Sequence, residues 1–166
     1  FSGADLENVL NESAILAVRH NETAVTMADV DEAIDRVMMG PAKVSRTYDD
    51  KTKKLVAYHE SGHAVVGLFM ENAQVVQKVT IIPRGQAGGY NLMTPKEEKM
   101  MDTKNDLLAS ITSFMGGRVA EELFFDDVTT GASNDIERAT NIATEKTTPY
   151  GKTDVGPIKN NRGSEN

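Results

Sequence analysis

Apolar residues recur at helical spacing in two segments near the start of the chain. Each segment opens with the pattern of a capping box, Ser2 with Asp5 and Thr26 with Asp29, and a Gly-Pro pair at 40–41 ends the second. The apolar positions are Leu6, Val9, Leu10, Ile15 and Leu16 in the first segment, and Val30, Ile34, Val37 and Met38 in the second. Residues 1–40 are therefore predicted to form a pair of helices.

The remaining pattern predicts three more helices and one small β-ribbon. Residues 41–53 are polar and aperiodic, which favours a linker that runs into a helix from about residue 50 to 69. The β-branched residues of 75–82 favour a strand, with 90–94 as its returning partner. Further helices are predicted over 103–124 and from residue 133 or 134. The expected fold is thus mainly α, and 149–166, where Pro and Gly recur without apolar periodicity, is expected to be irregular or disordered.

Composition narrows the functions that need to be considered. The chain has 166 residues, 39% of them hydrophobic, which is enough for a real core. Its formal net charge of −7 argues against nucleic acid as a partner. Because there is no cysteine, any metal must be held by His, Asp or Glu. The longest apolar stretch, Ala64–Met70, is too short to cross a membrane. Phe1 is not a natural start, so we expect a piece of a longer protein.

His59-Glu60-Ser61-Gly62-His63 is the pattern H-E-x-x-H, and it falls on the helix predicted over 50–69. Residues four apart share a helix face, so both imidazoles can point at one zinc ion. Glu60 can then take a proton from zinc-bound water and deliver it to the leaving amine of a peptide bond. At this chain's own residue frequencies the pattern arises by chance in roughly half a per cent of such chains. His20 is expected to be only a solvated partner of a helix dipole.

A catalytic zinc needs a third protein ligand, and spacing alone does not choose it. The long metzincin motif is excluded, because Val66 and Phe69 stand where it needs Gly and His. Each downstream candidate also has an ordinary explanation as a solvated helix face, a turn residue or a helix-dipole partner. The candidates are Glu121, Glu122, Asp126, Asp127 and Asp135.

Five runs of sequence resemble one family. They are Phe1–Leu6, Leu55–Gly67, Lys78–Gly85, Met115–Glu122 and Thr129–Asp135, in order along residues 1–145. Together they resemble the FtsH family of membrane-anchored AAA+ zinc metalloproteases. The resemblance implies that 1–40 is the C-terminal part of an AAA+ helical lid and that 41–148 is a truncated zinc peptidase domain.

The resemblance also implies roles for residues and partners. Asp135 would join His59 and His63 as the third zinc ligand, Glu60 would be the general base, and Glu121 or Glu122 would support the site. Substrates would be unfolded or membrane polypeptides that add to the edge of the strand at 75–82. ATP would be used by an upstream module, since the chain has no G-x-x-x-x-G-K-[ST] motif. The parent would be a homo-hexamer in the bacterial plasma membrane, with this region on the cytoplasmic side and soluble as a fragment.

One departure from the family motivates an alternative. Where the family has an apolar helical run, this chain has Thr144-Glu145-Lys146-Thr147-Thr148-Pro149, and Pro149 is expected to end the helix that carries Asp135. The alternative to a zinc endopeptidase is therefore a catalytically inactive fragment that acts only as a folding or partner-binding module.

Overall fold

The computed structural model describes residues 1–43, 48–85 and 87–147, apart from the side chains of 146 and 147. The elements, in order, are α1 (Gly3–Arg19), α2 (Met27–Met39), α3 (Asp50–Phe69), β1 (Val75–Thr80), β2 (Tyr90–Thr94), α4 (Lys104–Phe125) and α5 (Ser133–Thr147), with a 3₁₀ turn at Thr130–Ala132. The prediction of a mainly α fold with a small β-ribbon is confirmed. The predicted tail and the helix end at Pro149 lie outside the described residues.

The chain divides into two units. One consists of Phe1–Thr47 with Ile82–Gly88, and the other of Tyr48–Ile81 with Gly89–Asn166. The loop between the two strands therefore groups with the N-terminal helices rather than with the ribbon. None of the helices in the described part of the chain is long and apolar enough to cross a membrane.

In the first unit, α1 and α2 pack around a small apolar core. Both predicted capping boxes are present, at Ser2 and Thr26. The core consists of Val9, Leu16 and Ala33, with Val30, Ile34 and Val37 packed against it. Leu6 and Leu10 were expected on this face, but they are 54% and 66% exposed. The small residues Ser13 and Ala17 are buried instead, which lets the two helices approach closely.

Arg84 holds the loop at 82–88 within the first unit. Its side chain is 2% exposed, and its Nη1 and Nη2 donate to the two carboxylate oxygens of Glu32 at 3.2 and 2.7 Å. Nη1 also donates to Gly40 O at 3.2 Å, and the Arg84 backbone forms bridges with Ala42 and Ala87. The predicted strand at 75–82 therefore ends at Thr80, because the chain beyond it bonds within this loop and Pro83 has no N–H to donate.

In the second unit, α3 and α4 pack through glycines. A Cβ built on Gly116 would lie 2.7 Å from Gly62 O, and one built on Gly62 would overlap Gly116 O. Phe69 is 86% exposed and Val119 45%, because backbones that approach this closely leave room only for small residues.

The β-ribbon belongs to the second unit. β1 and β2 pair antiparallel, from Val75 opposite Thr94 to Thr80 opposite Tyr90, with an irregularity between Val76 and Lys78. Val76 packs toward Gly67 of α3, where an added Cβ would lie 2.7 Å from its side chain. The predicted return of the chain at 90–94 is confirmed.

Candidate metal centre

The imidazoles of His59 and His63 on α3 point their Nε2 atoms toward each other. His59 Nδ1 lies 2.7 Å from Glu121 Oε1, and His63 Nδ1 lies 2.7 Å from Ser113 O. A carboxylate and a carbonyl only accept hydrogen bonds, so both Nδ1 atoms carry the proton. Each Nε2 is left as a donor of an electron pair, and the two Nε2 atoms are 3.1 Å apart.

Asp135, in the first turn of α5, completes this group. Its Oδ2 lies 3.2 Å from Nε2 of His59 and 3.2 Å from Nε2 of His63. A tetrahedral zinc with bonds of about 2.0–2.1 Å holds its ligand atoms about 3.3–3.4 Å apart. Three atoms of suitable chemistry therefore already have nearly the spacing that zinc requires, and these residues fit the metal that the sequence pattern predicts.

Close association changes the charge states of the three side chains. Burial alone would raise the pKa of Asp135, but hydrogen bonds to His59 and His63 lower it to about 2. Burial, the largest single cause, opposes protonation of the imidazoles, but the hydrogen bonds of each ring, together with the negative charge of Asp135, outweigh it, so the pKa of each histidine is raised. With a pKa of about 2, Asp135 is ionised at neutral pH, which is the form in which a carboxylate binds a cation.

Glu121 fixes the ring of His59 through the hydrogen bond to its Nδ1. Its side chain is 1% exposed, and its Oε2 accepts a hydrogen bond from Thr129 N at 2.6 Å. One carboxylate therefore orients a ring of α3 and ties α4 to the turn before α5. The ordinary interpretation of Glu121 as a solvated helix face is wrong, whereas it holds for Glu122, which is exposed.

The other two acidic candidates lie away from this group. Asp126 ends α4 in a left-handed conformation with a φ of 53°. Asp127 Oδ1 accepts a hydrogen bond from Val128 N at 2.8 Å. Both behave as turn residues, as the ordinary interpretation of the sequence expected.

Gly117 leaves the space in front of the rings open. A Cβ at this position would lie 2.6 Å from Nε2 of His59 and 2.6 Å from Nε2 of His63. Sequence reasoning missed this residue. The available signal was the pair Gly116-Gly117 inside a helix, since each such glycine costs about 1 kcal/mol relative to alanine and calls for a reason in packing or function.

Glu60 lies beside the histidines and is buried, at 7% exposure. Burial raises the pKa of its carboxyl, against the opposing charges of His59 and His63. Its Oε2 accepts a hydrogen bond from Asn91 Nδ2 at 2.7 Å. Asn91, on β2, was not identified from the sequence.

His20 belongs to a separate group in the first unit. Its Nδ1 lies 3.0 Å from Asp29 Oδ1, with Glu22 nearby. Asp29 already caps α2, since its Oδ2 accepts from Thr26 N at 2.9 Å and from the Thr26 hydroxyl at 2.7 Å. We interpret the group as a junction between two helix ends. The ring of His20 is half exposed at the end of α1, as expected, but its contact with Asp29 makes it more than a solvated partner of the helix dipole.

Comparison with models of known protein families shows to which family the chain belongs. A model of peptidase family M41 matches residues 46–166, and a model of the AAA+ lid domain matches residues 1–32. The chain belongs to peptidase family M41. The resemblance to FtsH-family proteases stated above is thereby confirmed.

Relatives of this M41 chain carry the name ATP-dependent zinc metalloprotease FtsH. The protein of Acholeplasma laidlawii is 61% identical over 159 residues, which are 96% of this chain and 25% of the relative. That of Bacillus subtilis is 53% identical over 160 residues, again 96% and 25%. That of Metamycoplasma arthritidis is 56% identical over 168 residues, 100% of this chain and 23% of the relative. The chain thus spans about a quarter of the length of these proteins.

Proposed function

We propose that this chain is the zinc endopeptidase module of an ATP-dependent protease. His59, His63 and Asp135 would hold one zinc ion. The observation that supports this most strongly is the convergence of two Nε2 atoms and one carboxylate oxygen at 3.1–3.2 Å, in front of a glycine that leaves room for an ion. When bound there, zinc would supply a Lewis acid and lower the pKa of a water molecule.

The protein's own part in hydrolysis would centre on Glu60. Its carboxylate would take the proton of the attacking water and pass it to the nitrogen of the leaving amine, so that the C–N bond breaks as a neutral amine departs. Burial raises the pKa of this carboxyl toward neutral pH, which makes its carboxylate a better proton acceptor. Glu121 and the carbonyl of Ser113 would keep both rings aimed at the ion.

Substrates would be extended polypeptides. β1 is paired with β2 on one side, and no other strand of the described chain pairs with its opposite side. A substrate backbone adding there would be recognised through main-chain hydrogen bonds, which are shared by all sequences. Unfolded and membrane proteins would meet this requirement.

The wider assignments also remain proposals for the parent protein. Residues 1–40 would end an AAA+ lid, 41–148 would form the peptidase domain, and 149–166 would be a tail. ATP would be bound upstream, the parent would be a homo-hexamer, and its anchor would lie in the plasma membrane. The match to the AAA+ lid domain supports the assignment of the lid, and the name ATP-dependent zinc metalloprotease that the relatives carry supports the use of ATP.

A zinc titration combined with cleavage of an unfolded protein tests the proposal. Glu60→Gln should keep zinc and lose turnover, because only the proton acceptor is removed. His63→Ala should lose both, whereas His20→Ala, which removes the histidine outside the cluster, should lose neither. Stoichiometric zinc without cleavage in the unmodified chain would favour the alternative of an inactive partner-binding module.

A further inference from the structure

The carboxylate of Glu60 is held from outside its own helix. Asn91 Nδ2 donates to Glu60 Oε2 at 2.7 Å and to the main-chain Glu60 O at 3.0 Å. One amide group therefore bridges the tip of the glutamate side chain and its own backbone. Because Asn91 lies on β2, the ribbon rather than α3 fixes where this carboxylate points.

Gly89, directly before β2, limits the other carboxylate oxygen of Glu60. A Cβ built on Gly89 would lie 2.9 Å from Glu60 Oε1 and 2.9 Å from its Cγ. Backbone on one side and an amide on the other thus leave Glu60 little freedom to change rotamer.

The orientation of the Asn91 amide follows from its neighbours. Both Glu60 atoms that it contacts are acceptors, so the NH₂ group must face them and Oδ1 must point away. That Oδ1 is buried and has no hydrogen-bond partner among the described residues. A buried acceptor without a partner destabilises a fold. Stability alone therefore does not account for asparagine at this position, whereas control of Glu60 does.

We propose that Asn91 is a positioning residue that sets the orientation of the Glu60 carboxylate for proton transfer. The proposal rests on the proposed function, in which Glu60 is the general base. A base transfers protons efficiently only at hydrogen-bond distance and in the right direction. Glutamate has three rotatable side-chain bonds, so a hydrogen bond to its carboxylate restricts the orientation of that group more than burial of its methylene groups does.

The kinetic test uses Asn91→Leu, which has nearly the same size and no donor. We expect kcat to fall between about tenfold and about hundredfold, with KM and the zinc content unchanged. The matched control is Asn8→Leu, which makes the same change at an exposed position of α1 in the first unit; it should leave kcat unchanged. Unaltered kcat, a rise in KM alone, or loss of zinc in Asn91→Leu would each overturn the proposal.

A spectroscopic test does not depend on turnover. In a ¹⁵N spectrum of the zinc-loaded chain, the Asn91 side-chain amide is the NH₂ pair missing from Asn91→Leu, or from Asn91→Ala if the first variant does not fold. Glu60→Gln should shift that pair, because a charged acceptor becomes neutral, and Asn8→Leu should not. An unmoved pair overturns the positioning role. If the unmodified chain binds zinc without cleaving substrate, the proposed function fails, and this shift still decides whether Asn91 holds Glu60.

Discussion

Replacing Gly117 with alanine should block the metal centre by adding a single methyl group. The new Cβ would lie 2.6 Å from Nε2 of His59 and of His63. This is about 0.8 Å closer than an ordinary van der Waals contact of about 3.4 Å. Zinc sites tolerate deviations of only about 0.2 Å in their bond lengths. The rings must turn away further than zinc allows, so we expect zinc affinity to fall by at least about a hundredfold, or about 2.7 kcal/mol.

The same substitution should have little effect on the fold without metal. Alanine is favoured over glycine inside a helix by about 1 kcal/mol, which offsets part of the strain on the rings. Competition titration with a zinc-binding dye would measure the affinity, and urea unfolding of the metal-free chain would measure stability.

The matched control for this change is Gly3→Ala. Gly3 is also helical, and an added Cβ there meets no atom within 4 Å, so zinc affinity should stay at the parent value. Zinc affinity of Gly117→Ala equal to that of the parent would refute the reasoning. It would mean that the two imidazoles do not converge on the space in front of this glycine.

Three further predictions concern the surroundings of the centre and the first unit. Glu121→Gln should weaken zinc binding roughly 10- to 100-fold by loosening His59, measured by the same titration. Burial alone would lower the pKa of His59 and His63, but their hydrogen-bond partners raise it, so protons compete with zinc for the two rings. Zinc affinity, measured by the same titration, should therefore rise with pH by up to about two decades per pH unit before it levels off. Zinc affinity that falls as pH rises between about 5 and 8 would contradict this prediction. Arg84→Ala should lower the free energy of unfolding by roughly 1–3 kcal/mol, since it leaves the Glu32 carboxylate without its bidentate partner; unchanged urea unfolding would contradict this.

Local physics explains which features the sequence could predict. Capping boxes and the H-E-x-x-H spacing involve residues three or four apart, so Thr26 with Asp29 and His59 with His63 could be placed without a tertiary structure. The approximate ends of the helices and the position of the β-ribbon could be predicted in the same way, from residues that are close in sequence. Strand β1 was predicted two residues too long, because bonds within the loop at 82–88 compete for the chain after Thr80.

Long-range contacts explain what could not be predicted from the residues alone. Asp135 lies 76 positions from His59, and five acidic side chains fitted the motif equally well until the resemblance favoured one. The buried state of Glu121 depends on how α4 packs on α3. That packing runs through glycines, whereas apolar periodicity marks large residues such as Phe69, which is 86% exposed. Asn91 carried no motif, since its role exists only where β2 meets Glu60.

Zinc bound per chain after exhaustive dialysis, compared between the parent and Asp135→Ala, tests the central claim most directly. Asp127→Ala is the matched control, because it removes a carboxylate that bonds only the neighbouring Val128 N in the described chain. We expect one tightly held zinc in the parent and in the control, and a sharp loss of zinc in Asp135→Ala. Little zinc in the parent, or full retention in Asp135→Ala, would contradict a centre built from His59, His63 and Asp135.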